Sequence, residues 1–179
     1  MRVENSSCGG CTVCCVIPPV KSPQFSKTSG KSCIHRRDGE GCSIHATRPE
    51  VCRDWYCGFR TLEFLTDAWR PDKCGLLVVP NDVGIPLTFA RRQGLKLIAF
   101  RRVDDLVAPF VVDMIAGLVF GAVPTFVAVP GPIGYHGAKA LINGALFASA
   151  VRRDREVIRN YLQSLYYRLR DGEFEKVDD

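Results

Sequence analysis

The chain has 179 residues, nine of them cysteine, with 46% hydrophobic residues and a formal charge of +5. That length holds one domain, or one domain and a small module, and the apolar content supports a packed core, which excludes a wholly disordered chain. The charge counts every cysteine as neutral; eight thiolates on two divalent ions would carry about −4 and bring the total near +1, so basicity is no argument for nucleic-acid binding.

Residues 1–7 form a polar lead that runs straight into cysteines, with no apolar signal core. The expected location is therefore the cytoplasm, where thiols stay reduced and clustered cysteines hold metal rather than form the bridges of a secreted module. Eight cysteines fall within one stretch: Cys8, Cys11, Cys14, Cys15, Cys33, Cys42, Cys52 and Cys57; Cys74 lies just outside it. The opening reads C-x2-C-x2-C-C, and C-x2-C is the spacing at which a tight turn directs two thiolates at one ion. Gly9 and Gly10 leave room for backbone amides to turn toward sulfur. Cys14 and Cys15 are adjacent, and neighbours in an extended segment point to opposite faces. The eight cysteines thus divide into two sets of four, serving two metal centres or one multinuclear cluster.

Residues 16–19 leave this knuckle in extended form, since residues before proline avoid the helix. Residues 21–32 are a loop whose Gly30-Lys31-Ser32 is not a phosphate loop, because Phe25 stands where its first glycine is needed. Residues 33–42 read as a hairpin around Asp38-Gly39-Glu40-Gly41. A helix starts at Thr47, with Thr47 and Glu50 as a capping box and Pro49 tolerated in its first turn. On a regular helix Cys52 and Cys57 lie about 140° apart, so the helix ends before Cys57 or Cys57 serves another purpose; Gly58 suits a helix stop. Residues 61–71 read as an apolar cover.

From Gly75 the composition changes. Residues 76–79 and 86–90 flank Asn81-Asp82-Val83-Gly84 as a hairpin, residues 95–101 form a third strand, and a helix capped by Asp104 or Asp105 runs to about Phe120. Residues 125–129 form a fourth strand and residues 139–150 a helix. Residues 106–129 are apolar enough to be weighed as a membrane span, but Asp113, Pro109 and Pro124 favour a buried helix followed by a buried strand. The last helix, about 154–169, carries the stripe Val157, Ile158, Tyr161, Leu162, Leu165, Tyr166 and Leu169. The expected fold is α+β: a loop-rich cysteine module over residues 1–74, then a small, mostly antiparallel sheet with two or three helices over residues 75–179.

The order Cys8-x2-Cys11-x2-Cys14-Cys15, Cys33, Cys42-Ser43-Ile44-His45 and Arg48-Pro49-Glu50-Val51-Cys52-Arg53 resembles the CxxCxxCC group of zinc- or iron-chelating proteins, the YkgJ-type cysteine-cluster family. The resemblance covers residues 8 to about 58 and implies metal binding by those eight cysteines, with zinc or iron, including an iron–sulfur cluster, as the cofactor. All-cysteine sites suit zinc, and the same thiolates suit iron–sulfur chemistry. The ferredoxin run C-x2-C-x2-C-x3-C-P departs here, with Pro18 at its fourth cysteine. Some members resemble the flagellin lysine methylase, which implies an alternative, an iron-dependent redox or protein-modifying enzyme. A third reading is a zinc-stapled module for a protein or nucleic acid. No catalytic constellation stands beside the cysteines. His45 has ligand spacing from Cys42, His35 and His136 read as bystanders, and Cys74 as a further ligand or a buried thiol. Arg36, Arg37, Arg48 and Arg53 offset thiolate charge, and Arg48 and Arg53 should lie against the sulfurs.

Overall fold

The computed structural model describes residues 7–177 other than Gln24. Its first third is built of short pieces: a 3₁₀ turn at Val13–Cys15, the two-residue strands β1 (Val20–Lys21) and β2 (Ser26–Lys27), β3 (Arg36–Arg37) and β4 (Gly41–Cys42), a 3₁₀ turn at His45–Thr47, and helices α1 (Glu50–Asp54), α2 (Gly58–Thr61) and α3 (Pro71–Cys74). The remainder runs β5 (Leu76–Asn81), β6 (Gly94–Ala99), α4 (Val103–Leu106), α5 (Pro109–Phe120), β7 (Thr125–Val129), β8 (Ala138–Leu141), α6 (Asn143–Arg152) and α7 (Arg155–Arg170). The fold is α+β.

The four long strands form one sheet in the order β5-β6-β7-β8. Two of its pairings are antiparallel; β6 and β7 are parallel, joined by the α4–α5 crossover. Period-two alternation decides the faces. Leu95, Leu97 and Ala99 are buried, while Lys96 and Ile98 between them are half-buried toward the other side. On the first face α4 lies against β6, and α5 and α7 against β7. Ile115, Leu146, Ile158, Leu162 and Leu165 fill the space between the sheet and the helices, and Cys57, Phe59, Leu65, Trp69 and Cys74 join the same core. Trp69 meets Phe110 edge-on at 5.1 Å between ring centroids. Phe64, by contrast, is exposed, so only part of residues 61–71 acts as an apolar cover.

Several local expectations are corrected. The hairpin partner of β5 is β6, not residues 86–90. Residues 86–90 instead turn, with Phe89 N–H donating to the Pro86 carbonyl at 3.1 Å and Leu87 exposed. The helix expected from Asp104 or Asp105 to Phe120 is two helices broken at Ala108, whose extended backbone is what a residue before proline adopts. Neither aspartate caps it; Asp105 takes two hydrogen bonds from Arg101. Residues 138–141 pair with β7 as a strand, and the helix expected from 139 starts at Asn143. The Thr47–Glu50 capping box does not form, because Arg48 and Pro49 are extended and α1 begins only at Glu50. Gly58 begins a helix rather than ending one.

The strand at 125–129 and the last helix stand where expected. Asp154 caps α7 by accepting from Val157 N–H at 3.1 Å. Ile158, Leu162, Leu165 and Tyr166 are buried; Val157, one residue off that stripe, is exposed. Residues 106–129 hold a twelve-residue helix and a buried strand. Among the described residues no helix is long and apolar enough to cross a membrane.

Asn143 joins α6 to the start of β7. Its side-chain oxygen accepts from Thr125 N–H, away from water, and its amide donates to the part-buried Val123 carbonyl, both at 2.8 Å. Asn143→Ala leaves the buried Thr125 N–H unpaired, whereas the Val123 carbonyl keeps the Thr125 hydroxyl at 2.8 Å, and one such unpaired group costs about 1–3 kcal/mol. Urea unfolding should therefore show a loss of about 1–3 kcal/mol, with an unchanged denaturant slope.

Candidate metal centre

The first cysteines are arranged by turns. Cys11 N–H donates to the Cys8 carbonyl at 2.9 Å, closing the knuckle. Gly9 takes a positive φ of 50°, but its amide donates to the Ser7 hydroxyl rather than turning to sulfur. Gly10 is required for another reason: a Cβ there would lie 2.8 Å from the Gly39 carbonyl oxygen, so the β3–β4 turn rests directly on the knuckle. The hairpin expected over residues 33–42 forms only between residues 36–37 and 41–42, so Cys42 stands opposite Arg36 rather than Cys33. Arg36 Nε donates to the Thr12 hydroxyl at 3.0 Å and fastens it further.

The vicinal pair lies in the 3₁₀ turn, not in extended chain. The interaction of its two thiols pushes Cys14 up, with burial adding to it, and pulls Cys15 down to about 7. Cys33 N–H donates to the Cys15 carbonyl at 2.9 Å, which brings the next cysteine to this turn. Lys27, on β2, is buried and donates to the carbonyls of Val16 at 2.9 Å and Pro18 at 2.5 Å.

Electrostatic neighbours sort the eight cysteines. Cys14 feels Cys8 and Cys11 besides Cys15, and Cys57 feels Cys8 and Cys11. Cys52 feels Cys33, Cys15 and Cys42. One set is therefore Cys8, Cys11, Cys14 and Cys57, the other Cys15, Cys33, Cys42 and Cys52, and they meet at Cys14–Cys15. Among the described residues no three Cys, His, Asp or Glu side chains meet as a group that could hold a metal ion. The sets are neighbourhoods, not closed coordination spheres. All nine cysteines are free thiols. Burial pushes up Cys11 and Cys52, and Cys57 to about 11, where the Arg60 and Phe59 amides at the start of α2 pull the other way. Cys57 stands outside α1, which ends at Asp54.

The compensating charges differ from those expected. Beside the second set are Lys27, Arg36 and Arg48. Arg48 also donates from Nε to the Cys52 carbonyl at 3.2 Å. Arg53 is exposed, which corrects its expected place against the sulfurs; Arg37 is exposed as well. Arg53 follows Cys52 directly, and one residue of helix turns it about 100° away. The first set has an ion pair from beyond the cysteine stretch: Asp72, doubly hydrogen-bonded by Arg70 at 2.8 and 3.0 Å, reaches Cys11. Sequence reading missed Lys27, Arg70 and Asp72, because no local signal sets them apart from surface charges.

The remaining candidates lie apart. His45 is exposed and its carbonyl accepts from Arg48 at 3.0 Å. His35 is half-buried against the Phe25 ring, 6.2 Å between centroids, rather than simply solvated. Cys74 is buried in the core, donating to the carbonyls of Trp69 at 3.5 Å and Leu76 at 3.3 Å, and burial pushes it up to about 11. Compared with known proteins, the chain matches no family model, no curated protein and no solved structure.

Replacing Lys27 by methionine should remove two charge-assisted hydrogen bonds from the turn that carries Cys14 and Cys15. Such bonds contribute about 1.5–3 kcal/mol each. Chemical denaturation and metal content should both fall in Lys27→Met, whereas Arg53→Ala should match the parent chain in both measurements.

Proposed function

We propose that the chain is a cytoplasmic metal-binding protein whose residues 8–57 fold around zinc or iron, with Cys8, Cys11, Cys14 and Cys57 serving one centre and Cys15, Cys33, Cys42 and Cys52 the other. The observation that carries this reading is the sorting of eight free thiols into two fours that touch at a vicinal pair. Four thiolates suit a closed zinc site, and bridging sulfur at the junction suits an iron–sulfur cluster. The order of these cysteines, with its resemblance to the YkgJ-type cysteine-cluster family, points the same way.

Energetics support it too. Among the described residues before Cys57 only Lys27 and Gly41 are buried, so the stretch has no apolar core of its own. Ordering its backbone opposes folding by about 1–2 kcal/mol per residue. A structural zinc site in a small finger contributes about 10–16 kcal/mol, a term of the size this segment lacks. In this reading the chain's residues position the thiols, and Lys27, Arg36, Arg48 and Arg70 offset the charge that remains once they are deprotonated.

Elemental analysis of protein purified without oxygen tests the reading: zinc protein is colourless and iron–sulfur protein brown. Cys11→Ser and Cys42→Ser should each lower the metal content, because each removes a donor from a different set. Chelation under reducing conditions should expose residues 8–57 to hydrogen exchange while α7 stays protected. If those residues keep their protection in metal-free, fully reduced protein, the proposal fails.

A further inference from the structure

Away from the cysteines, the second face of the sheet and the loops of the first third enclose a groove of about 1120 Å³. Small-ligand sites run to about 1,000 Å³, so the space is of that order. Leu77, Val79, Ile98 and Ala128 make its floor; residues 17–21, 26–31 and 54–56 make much of the facing wall. Among the described residues no cysteine lines it, and it adjoins the candidate metal centre only through Lys27.

Its charge is one-sided. Lys21, Lys27, Lys31, Lys96, Lys139 and Lys176 line it, against a single carboxylate, Asp54. Lys27 is committed to the Val16 and Pro18 carbonyls. Lys139 holds its ammonium 5.1 Å from the centre of the Phe126 ring and donates to the Val83 carbonyl at 3.1 Å. Its neighbour across β7 on the same sheet face, Lys96, is half-buried, and among the described residues it has no acidic partner. Burial, then the Lys139 charge, hold the Lys96 ammonium below its ordinary range. A half-buried ammonium ordinarily lies beside a carboxylate; here its charged neighbour is a second ammonium.

We propose that this groove binds a small phosphorylated ligand, with phosphates on Lys96, Lys139 and the lysines of the facing wall and its organic part on the apolar floor beside Trp55. Several lysines against one carboxylate call for more than one negative charge, which a phosphate supplies and a single carboxylate does not. Every Lys or Arg that lines the groove is a lysine, a point-charge phosphate donor with no fixed fork geometry. The Ser26 and Thr28 side chains add hydroxyl donors, and Trp55, exposed at the rim, offers a flat ring to a planar group.

The test uses the metal-loaded protein, isothermal titration calorimetry at low salt, and two probes, inorganic pyrophosphate and ADP. Both should bind, ADP more tightly, and added salt should weaken both. Lys96→Gln and Lys139→Gln should each weaken both probes at least about tenfold (about 1.4 kcal/mol) with metal content unchanged, while Lys73→Gln, outside the groove, should bind as the parent chain does. Trp55→Ala should abolish the advantage of ADP over pyrophosphate. Should Lys96→Gln fail to fold, the exposed Lys139 and Lys176 substitutions carry the test. No binding at millimolar probe, parent-like binding in the folded lysine variants, or equal binding of the two probes overturns the proposal. A single-stranded oligonucleotide that binds more tightly than ADP, increasingly with length, overturns it as well.

Discussion

No apolar side chain between Ser7 and Tyr56 is buried among the described residues, and the rest of the architecture follows from that constraint. Val13 and Ile17 are half-buried against the main core, but with no fully buried apolar side chain the hydrophobic effect alone gives the segment little closure. What closes it is polar. The Val13–Cys15 turn and the carbonyls just after it receive a buried lysine, the Cys33 amide and the Ser29 hydroxyl, while the β3–β4 turn leans on Gly10 and Arg36 reaches Thr12. Each of these contacts draws chain around the two adjacent cysteines. A polar knot of this kind has many donors and few fillers, so its stability is sensitive to anything that binds or neutralises the thiols.

The knot is also not self-contained. Cys57, a member of the first set, is buried in the core that the sheet and helices share. Gly58 next to it sits so close to Val78 on β5 that an added Cβ would meet that side chain at 3.0 Å. Arg70 and Asp72, which set the electrostatics around Cys11, belong to the segment leading into β5, and Arg101 ties that segment to the sheet by donating to the Asp72 and Lys73 carbonyls. The first thiol set is therefore tied through Cys57 to the core of the sheet and helices, while the second is spread over the 3₁₀ turn, the hairpin and α1. This asymmetry gives the two sets different mechanical supports although their donor atoms are identical.

The sheet has corresponding faces. One is sealed by α4, α5 and α7. The other meets a wall that cannot seal it, because that wall has no apolar side chains buried in it, and the gap is where lysines from both sides accumulate. The same scarcity of apolar filling that makes the knot polar thus also leaves an open cleft against the sheet.

The sequence by itself determined the parts whose cause is local. The α+β division, the strand at 125–129, the striped last helix and the hairpin around Gly39 all follow from periodicity or turn chemistry within a few residues. The extended segment expected at the vicinal pair is instead a 3₁₀ turn. Only the tertiary structure decided which cysteines share a set, since Cys57 joins Cys8 and Cys11 across some fifty residues of chain. It alone placed β6 between β5 and β7, turned Arg53 to solvent, and brought Lys27, Arg70 and Asp72 to the thiols. Those outcomes depend on which distant backbone groups need partners and which charges end up out of water, and neither is written in the spacing of neighbouring residues.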